Sequence, residues 1–94
     1  MITAVVLINA QKDAIGDLGE ELAAVAGVSE VYSVTGEIDF IALVRTRQHE
    51  DLADIVTKGI ARLPGVSRTH THVAFKAYSR HDLESIFAIG EGRD

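Results

Sequence analysis

The chain writes one pattern twice. Ile2, Ala4 and Val6 lie 38 positions ahead of Phe40, Ala42 and Val44, and Leu18, Leu22 and Val25 lie the same distance ahead of Val56, Ile60 and Leu63. Gly27-Val28-Ser29 returns unchanged as Gly65-Val66-Ser67. Each copy reads strand, helix, strand. Right-handed crossovers leave few ways to fold such a chain. The split βαβ arrangement is the expected outcome: an α+β, ferredoxin-like βαββαβ sandwich with antiparallel sheet order 4-1-3-2.

The local signals agree with that plan. Residues Ile2 to Asn9 form a β-branched run whose two faces are both apolar, with Ile2, Ala4, Val6 and Ile8 on one and Val5 and Leu7 on the other. Such a strand belongs in the middle of a sheet. Ile15, Leu18, Leu22 and Val25 recur at helical spacing, so a helix is expected over Asp13 to Ala26, its acidic residues crowding the early turns where the helix dipole favours them. Gly27 stops it. Val28 to Thr35 alternates as a second strand, with Val28, Glu30, Tyr32 and Val34 on one face. Gly36 supplies the backbone freedom of a tight turn.

Ile38 to Thr46 is again apolar on both faces, interrupted near its start by Asp39. His49 to Leu63 is expected as the second helix, with Leu52, Ile55, Val56, Ile60 and Leu63 inward and Gly59 where the helix backbone nears the sheet. Pro64-Gly65 ends it, and Val66 to Tyr78 is the last strand. In the order 4-1-3-2 the first and third strands are central, and they are the two with apolar residues on both faces.

Both helices of this fold cover one side of the sheet. The other side stays bare although the central strands carry Val, Leu and Ile there. Burying each such side chain is worth roughly 1.5–3 kcal/mol, and an apolar patch of that kind marks an interface. A sheet-to-sheet homodimer, a dimeric α+β barrel, is expected. The competing cover is residues 79–94, a C-terminal tail in which Leu83, Ile86 and Phe87 can form one apolar turn; so short a tail cannot span four strands. The domain proper is read as residues 1–78.

Composition narrows the function. The 94 residues hold 9 Lys+Arg against 14 Asp+Glu, a net charge of −5, which opposes a sequence-independent grip on nucleic acid. There is no cysteine, so disulfides, thiolate zinc sites and thiol catalysis are excluded. The first nine residues lack the basic start of a signal peptide, and no apolar run is long enough to span a bilayer. A cytoplasmic protein that engages neither membrane nor DNA directly is expected.

Candidate chemistry is sparse. His70 and His72 share one strand face at a spacing that can hold a metal, but a third ligand is missing from their surroundings, and they read as residues of an edge strand; no metal and no cofactor is expected. His49 and His81 have no local partners. No Gly-rich phosphate loop and no strained nucleophile turn is present. The segment from Val34 to Phe40 stands apart: it places a hydroxyl, a Gly turn and the strand's lone carboxylate, Asp39, close together. Asp39 either satisfies backbone N–H groups at the turn or helps form a polar pocket suited to an amino acid's ammonium and carboxylate.

The succession Val31-Tyr32-Ser33-Val34-Thr35-Gly36-x-x-Asp39, then Leu63-Pro64-Gly65-Val66, then Thr69-x-Thr71, resembles the effector-binding (RAM) domain of the Lrp/AsnC family of transcriptional regulators. The resemblance covers Ile2 to about Tyr78. It implies sheet-to-sheet dimers that assemble further, into an octamer or similar ring, and amino-acid ligands held between dimers. By match to the motif it assigns effector contact to Thr35, Gly36 and Asp39, and also to Thr69 and Thr71. Full-length members carry an N-terminal helix-turn-helix, whereas this chain begins at the first strand of the effector domain. The resemblance therefore implies a stand-alone effector domain, not an enzyme, that acts on transcription by co-assembling with full-length Lrp/AsnC regulators. Two other readings remain: a small α+β barrel enzyme (a cofactor-free monooxygenase or isomerase using His70 and His72), or an assembly module without ligand.

Overall fold

A computed structural model describes residues 1–78 and 80. Four strands, β1 (Ile2–Ala10), β2 (Val28–Ser33), β3 (Phe40–Thr46) and β4 (Val66–Ala74), make one sheet in the order β2-β3-β1-β4. This is the expected 4-1-3-2 read from the other edge. All three strand pairings are antiparallel. Helix α1 (Ile15–Ala23) packs over β2 and β3, and α2 (His49–Asp54) over β3.

The core lies between sheet and helices. Ala4, Val6 and Ile8 of β1 and Phe40, Ala42 and Val44 of β3 are buried there with Leu18 and Leu22 of α1, Leu52 of α2 and Ile60. No polar or charged residue is buried among the described residues. On the opposite face Val5, Leu7, Ile41 and Leu43 are only half-buried, so the central strands do present apolar side chains on both sides. The tail turn with Leu83, Ile86 and Phe87, like His81, lies outside the described residues.

Several elements depart from expectation for identifiable reasons. Helix α1 is shorter than Asp13–Ala26. Ala14 N–H donates to the Gln11 carbonyl in a preceding turn, and Val25 N–H donates to Leu22, so the chain tightens at both ends. Ile15 then sits at the frayed start and is 44% exposed rather than inward. In β2 the register slips between Val28 and Glu30, a bulge. Val28 therefore opposes Val44 and joins Val31 and Ser33 on the helix side, while Glu30 and Tyr32 take the open face.

The second helix is not α-helical throughout. Residues Ile55–Ile60 continue α2 as a π-helix, with Ala61 N–H donating to Val56 five residues back at 2.8 Å. Gly59 sits within it. A Cβ there would lie 2.7 Å from Cγ1 of Val25, so the close approach is to the end of α1 and not to the sheet. The last strand stops at Ala74; Phe75 and Tyr78 stand exposed beyond it, with Lys76 Nζ 5.1 Å from the Tyr78 ring centre.

Candidate functional site

The loop between β2 and β3 is tied to the end of β1. Asp39 N–H donates to the Ile8 carbonyl at 2.9 Å, and Val34 N–H donates to the Asp39 carbonyl at 3.0 Å. The Asp39 carboxylate accepts from Ala10 N–H at 2.7 Å, standing in for the strand carbonyl that the turning chain no longer supplies. Asn9 adds a side-chain donor to the Glu37 carbonyl at 2.7 Å. Beyond Asn9 the β1–β4 register shifts, and Ser67 Oγ donates to the Asn9 carbonyl at 3.0 Å. The end of β1 thus joins the loop on one side to the start of β4 on the other.

A cleft of about 560 Å³ opens at this junction, lined by side chains that include Asn9, Glu37, Ser67, Arg68 and His70. Arg68 and Glu37 take part in no ion pair among the described residues. The cleft thus offers a guanidinium for a carboxylate and a carboxylate for an ammonium, together with neutral donors and acceptors. A small zwitterion needs that combination.

Thr35 and Gly36 are exposed in the loop that carries Glu37; Gly36 has φ +111, and a Cβ on it would meet nothing within 4 Å. Asp39 is half-buried and serves the β1 end, so the carboxylate bridges two chain segments instead of closing its own turn. Thr69 and Thr71 oppose Ile8 and Val6, which places them on the helix side of β4, while Arg68 and His70 alternate with them on the open side. Sequence reasoning passed over Asn9, Ser67 and Arg68. The strand order contained the signal, since the start of β4 must lie beside the end of β1. Among the described residues no three His, Asp or Glu side chains gather where a metal could be held, and no helix is long and apolar enough to cross a membrane.

Asp39→Ala is expected to lower stability by about 1–3 kcal/mol, because it leaves the Ala10 N–H without its charged acceptor. Asp39→Asn keeps an acceptor and is expected to lose less than half of that. Urea unfolding of both variants checks this, and equal losses would show that the carboxylate contributes nothing through Ala10.

Comparison with known proteins agrees with the geometry. The model of the Lrp/AsnC ligand binding domain matches residues 3–83. The chain is 37% identical over 75 residues to PH1692, an uncharacterised HTH-type transcriptional regulator of Pyrococcus horikoshii, covering 80% of this chain and 50% of that protein. It spans about half the length of the curated regulators that it matches. Among solved structures, TTHA0845 from Thermus thermophilus is 52% identical with a TM-score of 0.79, covering 85% of this chain and 100% of that one. A feast or famine regulatory protein from M. tuberculosis, solved in complex with L-methionine, is 28% identical with a TM-score of 0.69, covering 85% and 54%. Sequence motif, strand order and these matches agree: the chain belongs to the Lrp/AsnC family, as a ligand-binding domain.

Proposed function

We propose that this chain is an amino-acid-responsive assembly module of transcription. Two copies pack sheet to sheet, and the dimers associate into an octamer or similar ring. An amino acid is held between dimers at the Thr35–Asp39 loop. Thr35 and Gly36 offer exposed polar groups and Asp39 holds the loop in place, while Thr69 and Thr71 lie on the helix side of β4, the face opposite Arg68. Arg68 and Glu37 supply the two opposite charges.

The module acts without catalysis, in the cytoplasm, by co-assembling with full-length regulators that carry the DNA-binding domain. The observation that carries this reading is the cleft itself: Arg68 and Glu37, in no ion pair among the described residues, beside a loop pinned to β1. Two comparisons support it. A homologous regulator is known with L-methionine, and the Thermus thermophilus chain is matched over its whole length by this one domain.

Isothermal titration with each of the twenty amino acids tests the proposal. At least one is expected to bind, and Arg68→Ala is expected to weaken it about ten- to a hundredfold, the worth of a charge-assisted hydrogen bond. Binding that is absent at millimolar ligand, or indifferent to Arg68→Ala, removes the sensor role. Mixing the chain with a full-length family member, followed by native mass spectrometry, tests co-assembly; separate homo-oligomers would count against it.

A further inference from the structure

The cleft at the end of β1 is poorly suited to an apolar side chain. Ala10 and Ile38 are the apolar residues of its wall, both half-buried, and the rest of the wall is polar or charged. A leucine or methionine side chain held there would stay largely in water, and removal from water is what drives the binding of such groups. Some of the polar groups are already spent. Asn9 Nδ2 donates to the Glu37 carbonyl, and the Ser67 hydroxyl donates to the Asn9 carbonyl. Four groups stay open: Asn9 Oδ1, the Glu37 carboxylate, the Arg68 guanidinium and the His70 imidazole. None of them has a hydrogen-bond or ion-pair partner among the described residues.

These groups follow an order along the strands. Asn9 and Glu37 put two acceptors at the end of β1, where one ammonium can donate to both. Arg68 pairs with Asn9 across the β1–β4 ladder, so it flanks those acceptors, and its planar fork suits an α-carboxylate. His70 comes two residues on, opposite Leu7 and on the same open side, about 7 Å further along β4. An amino acid anchored by Arg68 and Glu37 therefore leaves one donor of the cleft unused, the His70 N–H. The short carbon chain of aspartate or glutamate can carry a second carboxylate to it.

The chemistry at His70 favours that second carboxylate over its neighbours in kind. A carboxylate there accepts a charge-assisted bond, about twice as strong as the neutral bond an amide oxygen accepts. The Arg68 charge nearby adds to the attraction, and it repels the side chain of a lysine or arginine. We infer that the ligand is a dicarboxylic amino acid, aspartate or glutamate, and that His70 is the residue that selects it. This rests on the amino-acid site proposed above.

Isothermal titration of the full chain near neutral pH, with both acids, both amides, lysine, leucine and methionine, tests the inference. One of the acids is expected to bind at least about tenfold more tightly than leucine, methionine or lysine, and at least about threefold more tightly than its own amide. His70→Leu is expected to weaken that acid about tenfold and to leave leucine within about threefold, so the preference disappears. His70→Gln keeps an N–H donor and is expected to stay within about threefold of the original. Circular dichroism confirms that each variant is folded, which the exposure of His70 favours. Another amino acid that binds as tightly as the tighter acid, or a His70→Leu variant that keeps the full preference, overturns the inference and leaves the site standing. A chain that binds no amino acid at millimolar concentration loses the site itself, a different failure that takes the selectivity with it.

Discussion

Leu43→Asp is expected to keep the proposed sheet-to-sheet dimer from forming and to leave a folded monomer. Leu43 is half-buried on the face that looks away from both helices, between Val5 and Glu30 across the sheet. In a twofold interface one substitution acts twice. Losing two buried leucines forgoes about 3–6 kcal/mol, which raises Kd more than about a hundredfold before the cost of desolvating two carboxylates is counted. The monomer's own core is untouched, because the adjacent Ala42 and Val44 point to the other side and stay buried under the helices. Sedimentation velocity should show a single 10.1 kDa species with the far-ultraviolet spectrum of the parent. A variant that still sediments as a dimer would move the interface off this face. Ala42→Asp is the contrasting control: it places charge in the helix-side core and is expected to unfold the chain.

What could be read in advance follows from what creates each feature. The strand order and the two-sided central strands were legible because side-chain alternation, helical spacing and the handedness of crossovers act locally and agree with one another. Ala4, Val6, Ile8, Phe40, Ala42 and Val44 are buried as their alternation requires. The bulge at Val28/Glu30 was not legible, since either register leaves an alternating pattern and only contact with β3 chooses between them. The π-helical stretch was also hidden: its apolar residues sit at ordinary α-helical spacing, and the widening accompanies the close contact of Gly59 with Val25. In the site, Asp39 was visible as the lone charge in an apolar strand, but its partner, the Ala10 N–H, lies 29 residues away and is supplied by topology. Arg68 was passed over for the same reason, as a scattered cation until β4 is laid beside β1.

The repeat itself hides a difference that substitution can expose. Gly27 and Gly65 occupy equivalent places in the two copies, yet only Gly27 has positive φ, at +94. Gly65 is small for another reason: a Cβ there would lie 2.8 Å from the Ala14 Cβ. At Gly27 both constraints coincide, because an added Cβ would come within 2.3 Å of Ile55 Cδ1. Gly27→Ala therefore combines backbone strain of about 1–2 kcal/mol with overpacking of about 1–3 kcal/mol. A total of about 2–5 kcal/mol corresponds to a drop in Tm of roughly 10–40 °C for a domain of this size. The two terms separate by a cycle. Ile55→Val deletes Cδ1, so in that background the steric share of Gly27→Ala should largely vanish while the backbone share stays. A Gly27→Ala penalty that is the same in both backgrounds assigns the whole cost to φ, and one that disappears in the Ile55→Val background assigns it to packing. A thermally silent Gly27→Ala would contradict both, and with them the tight turn that directs α1 into β2.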